Sequence, residues 1–335
     1  MKQKFYTIPV FIPELACPFQ CVFCDQKKIS GYSNTPSGTE INQIIQSYLK
    51  TFTVKDAVIN IGFFGGNFTG IPMSEQEEYL KIASAYLNNG NVQGIRLSTR
   101  PDYVTPEIVA LLKNYSVSTV ELGAQSFDED VLRKSGRGHK VADIIEASSL
   151  IKNSGIKLGL QMMIGLPGDS LEKSLFTAHE IIRLGADNTR IYPTLVIKGT
   201  KLEQLYHEGK YTPLSLTQAI EWTKQILSVL TNNGVDVIRV GLHPSEGLLT
   251  GHELVAGPFH ISFKELVLTD IWKDIFINQL DGNKKNIIIK VPSNQLNYAV
   301  GYKASNKRIL EKKFQNVKFI ADLLLKDFEF DVIYS

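Results

Sequence analysis

Cysteine is nearly absent from this chain: there are three in 335 residues, and Cys17, Cys21 and Cys24 all fall within eight positions. An odd count argues against a disulfide framework, and the opening Met-Lys-Gln-Lys-Phe leads straight into a β-rich run rather than a signal peptide. No apolar run reaches the ~18 residues expected of a membrane helix, so no membrane is expected. An excess of one charge is missing too. Thirty-six Lys and Arg stand against 34 Asp and Glu, and 43% of residues are hydrophobic, ordinary figures for a soluble globular protein. No internal repeat, low-complexity stretch or targeting tail is expected. Unpaired thiols fit a reducing cytoplasm, which is the expected location. The length suits one barrel-sized domain plus a small appendage.

What is present starts with those cysteines. Cys17-Pro-Phe-Gln-Cys21-Val-Phe-Cys24 follows an apolar run over residues 6–15. Thiolates this close suit one inorganic centre better than distant pairing. A structural zinc normally takes four protein ligands, but there is no fourth Cys, and the nearest His is His139. A thioredoxin-like pair would be C-x-x-C without the third Cys. Three cysteines fit an iron–sulfur site with one position unfilled by protein, where chemistry can occur.

Continuous apolar β-rich runs alternate with amphipathic helical patterns along most of the chain. Candidate strands cover residues 5–12, 57–64, 94–98, 119–123, 157–163, 189–195 and 235–240. Helical patterns cover 38–51, 74–87, 106–113, 140–154, 170–184 and 215–232. This alternation predicts an α/β fold with a parallel sheet closed by right-handed crossovers, and sites at the C-terminal ends of its strands. Motifs stand at those ends. Gly65-Gly66-Asn67 follows the second strand, and glycines there let backbone approach a ligand, though a plain turn is the simpler reading. Ser98-Thr99-Arg100-Pro101-Asp102 follows the third. Arg100 is either a bidentate carboxylate partner or an ordinary surface arginine. Gln125 and Gln161 end apolar strands and need hydrogen-bond partners if buried.

C-x3-C-x2-C with Phe23 before the last Cys resembles the radical S-adenosylmethionine (SAM) superfamily. The resemblance implies a partial (β/α)6 TIM-like barrel, and a [4Fe–4S] cluster on Cys17, Cys21 and Cys24 whose free iron chelates SAM. It also implies reductive cleavage of SAM to a 5′-deoxyadenosyl radical, with an electron donor such as flavodoxin or ferredoxin. Carried over residue by residue, Phe23 packs on the adenine, and Gly65, Gly66, Asn67, Ser98, Gln125, Arg137 and Gln161 seat SAM. Many relatives have a Glu near Ser98 and Thr99, and the coproporphyrinogen oxidase branch has an Asp where Gln161 stands. The Gln125-Ser126-Phe127 and Gly136-Arg137-Gly138-His139 motifs resemble that branch. Phe63-Phe64-Gly65-Gly66-Asn67-Phe68-Thr69, Ser98-Thr99-Arg100-Pro101-Asp102 and Arg190-Ile191-Tyr192-Pro193-Thr194 resemble the radical SAM domain of the Elongator catalytic subunit, over about residues 5–240. That subunit has an acetyltransferase domain after the barrel. The remaining ~95 residues here show no acetyl-CoA-binding pattern, so acetyl transfer is not expected. His243, Glu246, His252 and His260 in the next stretch could serve a substrate, though a lone His is more often a satisfied structural group.

The tail divides off by charge. Residues 284–318 hold nine basic side chains and one acidic one, a net of +8 in a chain that nets only +2. Strand 286–291, helix 292–300, loop Gly301-Tyr302-Lys303-Ala304, helix 305–314 (with Ser305 or Asn306 as N-cap) and strand 317–320 resemble a minimal KH domain. In that fold a Gly-x-x-Gly loop clamps nucleic-acid backbone. The second glycine is Ala304 here, and alanine takes positive φ less easily. The expected organisation is a barrel over 1–245, a connecting segment 246–283 and a small basic KH-like α+β domain over 284–335. Gly301, Tyr302, Lys303, Lys307 and Arg308 would contact RNA. A solvated lysine face is the plain alternative.

The reading is a radical SAM enzyme that modifies RNA, either tRNA or rRNA. Two alternatives stand beside it: a small-molecule enzyme of the oxygen-independent coproporphyrinogen oxidase type, and a non-catalytic RNA- or cofactor-binding relative. With no second cysteine cluster in these residues, sulfur insertion from an auxiliary cluster is not expected.

Overall fold

A computed structural model describes residues 4–12, 21–25, 35–52, 57–242, 245–281 and 284–335. Cys17 and His243 lie outside the described residues. The chain divides into two compact units: Met1–Ser215 with Ile226–Pro258, and Leu216–Gln225 with Phe259–Ser335.

The first unit is a curled half-barrel. Its sheet joins β1 (Phe5–Ile12), β2 (Val58–Gly65), β3 (Gly94–Thr99), β4 (Val117–Gln125), β5 (Lys157–Ile164), β6 (Asn188–Pro193) and β8 (Asp236–Val240), in that order. Every pairing is parallel. A short antiparallel pair, β7 (Val196–Ile197) with β9 (Leu254–Ala256), stands apart from the main sheet. All seven strands lie where the apolar runs placed them, with ends shifted by at most two residues.

Helices connect the strands: α1 (Gly38–Thr51), α2 (Met73–Asn88), α3 (Pro106–Asn114), α4 (Glu129–Lys134), α5 (Val141–Asn153), α6 (Leu171–Arg183), α7 (Lys201–His207), α8 (Leu216–Asn232) and α9 (Glu246–Leu249). Their starts carry sequence-legible caps. Ser37 and Glu40 form a reciprocal capping box on α1, and Thr105, Asp128 and Ser170 cap α3, α4 and α6. The helices cover one face of the sheet, where Ile61, Phe63, Leu97, Val120, Leu122, Leu158, Leu160 and Ile191 are almost wholly buried. Because side chains alternate along a strand, the opposite, concave face takes the intervening residues. Those are mostly polar: Asn60, Arg96, Ser98, Glu121, Gln161, Arg190 and Tyr192. Polar residues are therefore concentrated on the face that the helices leave uncovered.

The second unit packs α10 (Phe263–Gln279), α11 (Leu296–Val300) and α12 (Ser305–Leu310) with a three-stranded sheet. In that sheet β10 (Asn286–Pro292) is central, parallel to β11 (Asn316–Asp322) and antiparallel to β12 (Asp331–Tyr334). Its core is Trp272, Phe276, Ile287, Ile289, Val291, Ala299, Leu310 and Phe314. Trp272 buries its indole and donates its N–H to Gln295 Oε1 at 2.9 Å, as a buried indole must. Residues 259–281 thus pack with the tail, since α10 supplies the largest core side chain. Residues 216–225 join them, where Lys224 is held by Glu221, Asp270 and Asp274.

Strand, helix, loop, helix and strand follow in the expected order. The first helix, however, starts only at Leu296 because β10 runs through Pro292, the second ends at Leu310 rather than 314, and the loop differs in two ways. Neither Ser305 nor Asn306 caps α12. Ser305 is already helical, Ala304 occupies the cap position, and Asn306 instead donates to the carbonyls of Thr269 and Ala299. Ala304 also adopts φ 59°, directly after Lys303 at φ 52°. The loop takes its left-handed turn without a second glycine. At Gly301 (φ 88°), by contrast, a Cβ would lie 2.6 Å from Ser305 Oγ and 2.7 Å from Asn306 N, so glycine is required there.

Candidate active site

The site is built at the C-terminal ends of β1 to β5, where a parallel sheet exposes its loops. Gly65 turns there with φ 107°, and a Cβ would meet the Ile12 carbonyl oxygen at 2.7 Å. Only glycine allows this approach, and Gly66 N then donates to the same oxygen at 2.8 Å. The first task of the Gly-Gly pair is thus to tie the end of β2 to the end of β1.

Cys21 is buried and Cys24 half-buried. Their segment is fixed by backbone bonds: Val22 N donates to Ser135 O at 3.0 Å, Leu202 N to Val22 O at 2.7 Å, and Cys24 N to Cys21 O at 3.0 Å. Phe23 and Val22 pack against Val196, Leu202 and Tyr211. Among the described residues no three His, Cys, Asp or Glu converge as a metal site.

Arg137 reaches Cys21 because α4 ends abruptly. Gly136 N donates to Arg133 O and Arg137 N to Leu132 O, the paired bonds of a Schellman turn, with Gly136 at φ 64°. The turn aims Arg137 inward. Nη1 lies 3.5 Å from Cys21 Sγ, and Nη2 donates to Gly123 O at 2.5 Å. Its Nε is buried without a hydrogen-bond partner. Arg137 O in turn accepts from Arg100 Nη2 at 2.7 Å. Arg100 is 2% exposed and forks onto Asp102 at 2.9 and 2.8 Å, so of its two readings the bidentate one holds, with a partner two residues away. Asn67 Oδ1 accepts from Thr99 Oγ1 (2.6 Å) and Arg100 N (3.1 Å), and Thr99 also bonds Thr69 at 2.6 Å. Asn67 is therefore a brace between the β2 and β3 loops.

Gln125 sits at an irregularity in the β4–β5 ladder with φ 67°, and accepts from Gln161 Nε2 at 3.4 Å. The two glutamines predicted to need partners meet each other. Between them and Arg137 lies Gly123, where a Cβ would stand 2.9 Å from Gln125 Nε2 and 3.0 Å from Arg137 Nη2. Ser98 lies on the same concave face and is half-buried. The structure thus brings Cys21, Arg137, Gly123, Gln125 and Gln161 together, with Arg100 and Asn67 behind them.

Sequence reasoning gave no role to His139. It is buried, its Nε2 is 3.3 Å from Ala124 O, and its Nδ1 has no partner. Burial, then the charges of Arg137 and Arg100, push its pKa down to about 2, so it is neutral here. Its place in Gly136-Arg137-Gly138-His139 was the available signal. Of the later candidates, His252 is exposed, and Glu246 opens α9 with its backbone carbonyl bonded to Thr250. His260 belongs to the second unit, where its Nδ1 accepts from Ser262 N at 3.0 Å and its ring stands edge-on to Tyr302.

The residues fit a cluster and an anionic ligand. The Cys21 thiol stands beside a guanidinium, one buried guanidinium nitrogen lacks an acceptor, and the absence of a Cβ at Gly123 lets Gln125 and Arg137 come close together.

A family model described as the radical SAM superfamily matches residues 12–181, and one described as the radical SAM C-terminal domain matches residues 186–273. A tRNA uridine(34) acetyltransferase of Methanocaldococcus infernus is 35% identical over 265 residues, covering 67% of this chain and 49% of that protein. One from Dehalococcoides mccartyi is 28% identical over 239 residues, covering 62% and 52%. The chain therefore spans about half the length of these acetyltransferases. An uncharacterized protein of Methanocaldococcus jannaschii is 32% identical over 243 residues, covering 69% of this chain and 73% of that one. Among solved structures, archaeal Methanocaldococcus infernus Elp3 with an N-terminal deletion matches at TM-score 0.66 and 23% identity, covering 82% of this chain and 64% of that one, a likeness of fold. No helix among the described residues is long and apolar enough to cross a membrane. Radical SAM enzymes use a [4Fe–4S] cluster and SAM, and with a half-barrel, a site that fits both and a family match over half its length, this chain belongs to the radical SAM superfamily.

Proposed function

We propose that this enzyme modifies RNA, with tRNA as the leading substrate class, and that its basic second unit holds the RNA backbone. The cluster, when bound, supplies one electron to SAM and so a 5′-deoxyadenosyl radical for hydrogen abstraction. Cys17, Cys21 and Cys24 would hold it, fed by a donor such as flavodoxin or ferredoxin. Arg137 lies beside the Cys21 sulfur and offers its buried Nε to a carboxylate. Gln125 and Gln161 present amide donors and acceptors beside it, Gly65 and Gly66 fix the neighbouring turn, and Asn67 and Ser98 line the adjoining strand ends. Phe23 offers a ring to a base, and Asn67 holds the loop carrying Arg100.

The observation that carries the RNA reading is the concentration of charge: +8 within residues 284–318 of a nearly neutral chain. The KH-like order of elements places Gly301, Tyr302 and Lys303 in one loop and Lys307 and Arg308 on the helix that follows. Lys303 Nζ lies 5.4 Å from the Tyr302 ring centre, an arrangement that offers a phosphate and a base together. Two of the relatives named above are tRNA uridine(34) acetyltransferases, which favours tRNA.

The test is binding of total cellular RNA by the anaerobically reconstituted full chain across a salt series, beside a Lys303→Glu/Lys307→Glu variant. Tight binding that falls steeply with salt and is lost in the variant supports the reading, and sequencing the bound RNA names the substrate pool. Weak, salt-insensitive binding that the variant leaves unchanged overturns it.

A further inference from the structure

The concave face of the barrel holds more positive charge than its buried acid balances. Glu121, on β4, is gripped from both sides. Arg96 on β3 donates to Oε1 from Nε at 2.8 Å and from Nη2 at 2.5 Å. Arg190 on β6 donates to Oε1 from Nη2 at 3.1 Å and to Oε2 from Nε. Arg239 on β8 is the register partner of Arg190 and so shares its face. Two guanidinium groups thus grip one carboxylate, and a third arginine lies in register beside them on the same face. Asp236, toward the N-terminal ends of the strands, is exposed.

A structural ion pair needs only one arginine per carboxylate. Enclosing the surplus charge is costly unless another anion meets it. The layer is closely fitted, with glycines where a Cβ would crowd its members. A Cβ on Gly159 would lie 2.8 Å from Glu121 Cγ and from Asn188 Oδ1, and one on Gly62 would lie 2.5 Å from the Phe64 ring. That ring supports the Arg190 guanidinium at 5.2 Å. Donors remain unspent. Arg96 spends Nε and Nη2 on Glu121, which leaves Nη1. Tyr192 Oη accepts from Arg190 Nη1 at 3.4 Å, which leaves its own proton for an acceptor. Arg96, Glu121 and Arg190 stand two residues before Ser98, Gly123 and Tyr192. That places them one inward-facing layer, roughly 7 Å, below the strand-end site.

We propose that this layer seats an anionic group, a carboxylate or a phosphate, of the molecule that enters the barrel, with Arg96, Arg239 and Tyr192 as its donors. Glu121 holds the arginines in place and competes with the ligand for them. The proposal rests on the barrel being the reaction chamber, but not on the substrate being RNA.

Its test needs neither cluster nor RNA. Malonate and inorganic phosphate are titrated against the full chain at ionic strength held constant with sodium chloride, following heat release and thermal midpoint. The Lys303→Glu/Lys307→Glu background removes binding by the basic tail. Saturable binding of malonate assigns a carboxylate, and of phosphate a phosphoryl group. Arg96→Gln is expected to weaken that binding about tenfold or more, as loss of a charge-assisted donor does. Arg239→Gln, which leaves the Glu121 pairs intact, gives the same direction if Arg96→Gln fails to fold. Glu121→Gln is expected to tighten binding, which a purely structural network does not predict. Absence of saturable binding by either anion, or binding unchanged in both arginine variants, overturns the proposal. Neither result bears on RNA binding by the tail.

Discussion

The seven-stranded sheet carries its charged residues on its concave face, whereas the C-terminal unit carries its own on the outside. In the first unit Glu121, Arg100 and Arg137 are each less than a tenth exposed and are fixed by bidentate or backbone bonds. In the second, Lys303, Lys307 and Arg308 surround a core of Trp272, Phe276 and β-branched residues that contains no charge. Buried charge has meaning only through geometry, because each group must find its partner or pay desolvation. Exposed charge acts through its sum, which composition already reveals. The first arrangement suits chemistry on a small, oriented group, and the second suits a long polyanion.

The difference is broken most severely at the cysteines. Cys21→Ala is expected to cut iron and sulfide content about tenfold or more and to abolish SAM cleavage. RNA binding should be unaffected. Loss of both activities together would contradict a division of labour between the units. Trp272→Ala should strike the other side. It removes the largest side chain of the C-terminal core and the indole bond to Gln295, for an expected cost of about 3–5 kcal/mol in denaturant unfolding. Lys303→Glu with Lys307→Glu should lower the slope of log affinity against log salt by about 2, while SAM cleavage without RNA stays at the wild-type rate.

Two smaller effects sharpen the comparison. His139 is neutral in the folded chain with its pKa at about 2, against 6.5 in its absence. Above pH 6.5 both states hold it neutral and it adds no pH dependence. As pH falls below 6.5 the unfolded chain takes up the proton first, so stability is lost. Between pH 7 and pH 5 wild type should lose about 2 kcal/mol that His139→Gln does not, read by urea unfolding at each pH. Ala304→Gly tests the loop. Relief of the left-handed conformation (φ 59°, ψ 30°) should outweigh the added chain entropy, raising stability by up to about 1 kcal/mol. A fall in stability would show that the alanine methyl packs usefully there.

Most of the strand–helix alternation was legible, because parallel strands buried on one face by helices read as continuous apolar runs with capped helices between them. Strand β12 (Asp331–Tyr334) was not. It is four residues long and half-exposed, with too little apolar pattern to separate it from loop. The limits of the C-terminal unit were also hidden, since Trp272 joins its core from a helix lying before the basic stretch. In the site, residue types were readable but partnerships were not. Gln125 and Gln161 announced themselves as polar strand ends, yet nothing in their spacing said that they meet. Arg100 pairs with Asp102, and Arg137 reaches Cys21 across 116 positions only because Gly136 turns the chain. The Glu121–Arg96–Arg190 network gave no local signal, as its members lie on three strands whose register only folding sets.

The most direct test of an RNA-directed radical enzyme is 5′-deoxyadenosine formation by the reduced, reconstituted full chain, with and without a tRNA fraction. It is run on wild type and on Lys303→Glu/Lys307→Glu. The account predicts that tRNA raises formation above the uncoupled background in wild type, and that the variant keeps the background but loses the rise. Formation indifferent to tRNA in both proteins would contradict it.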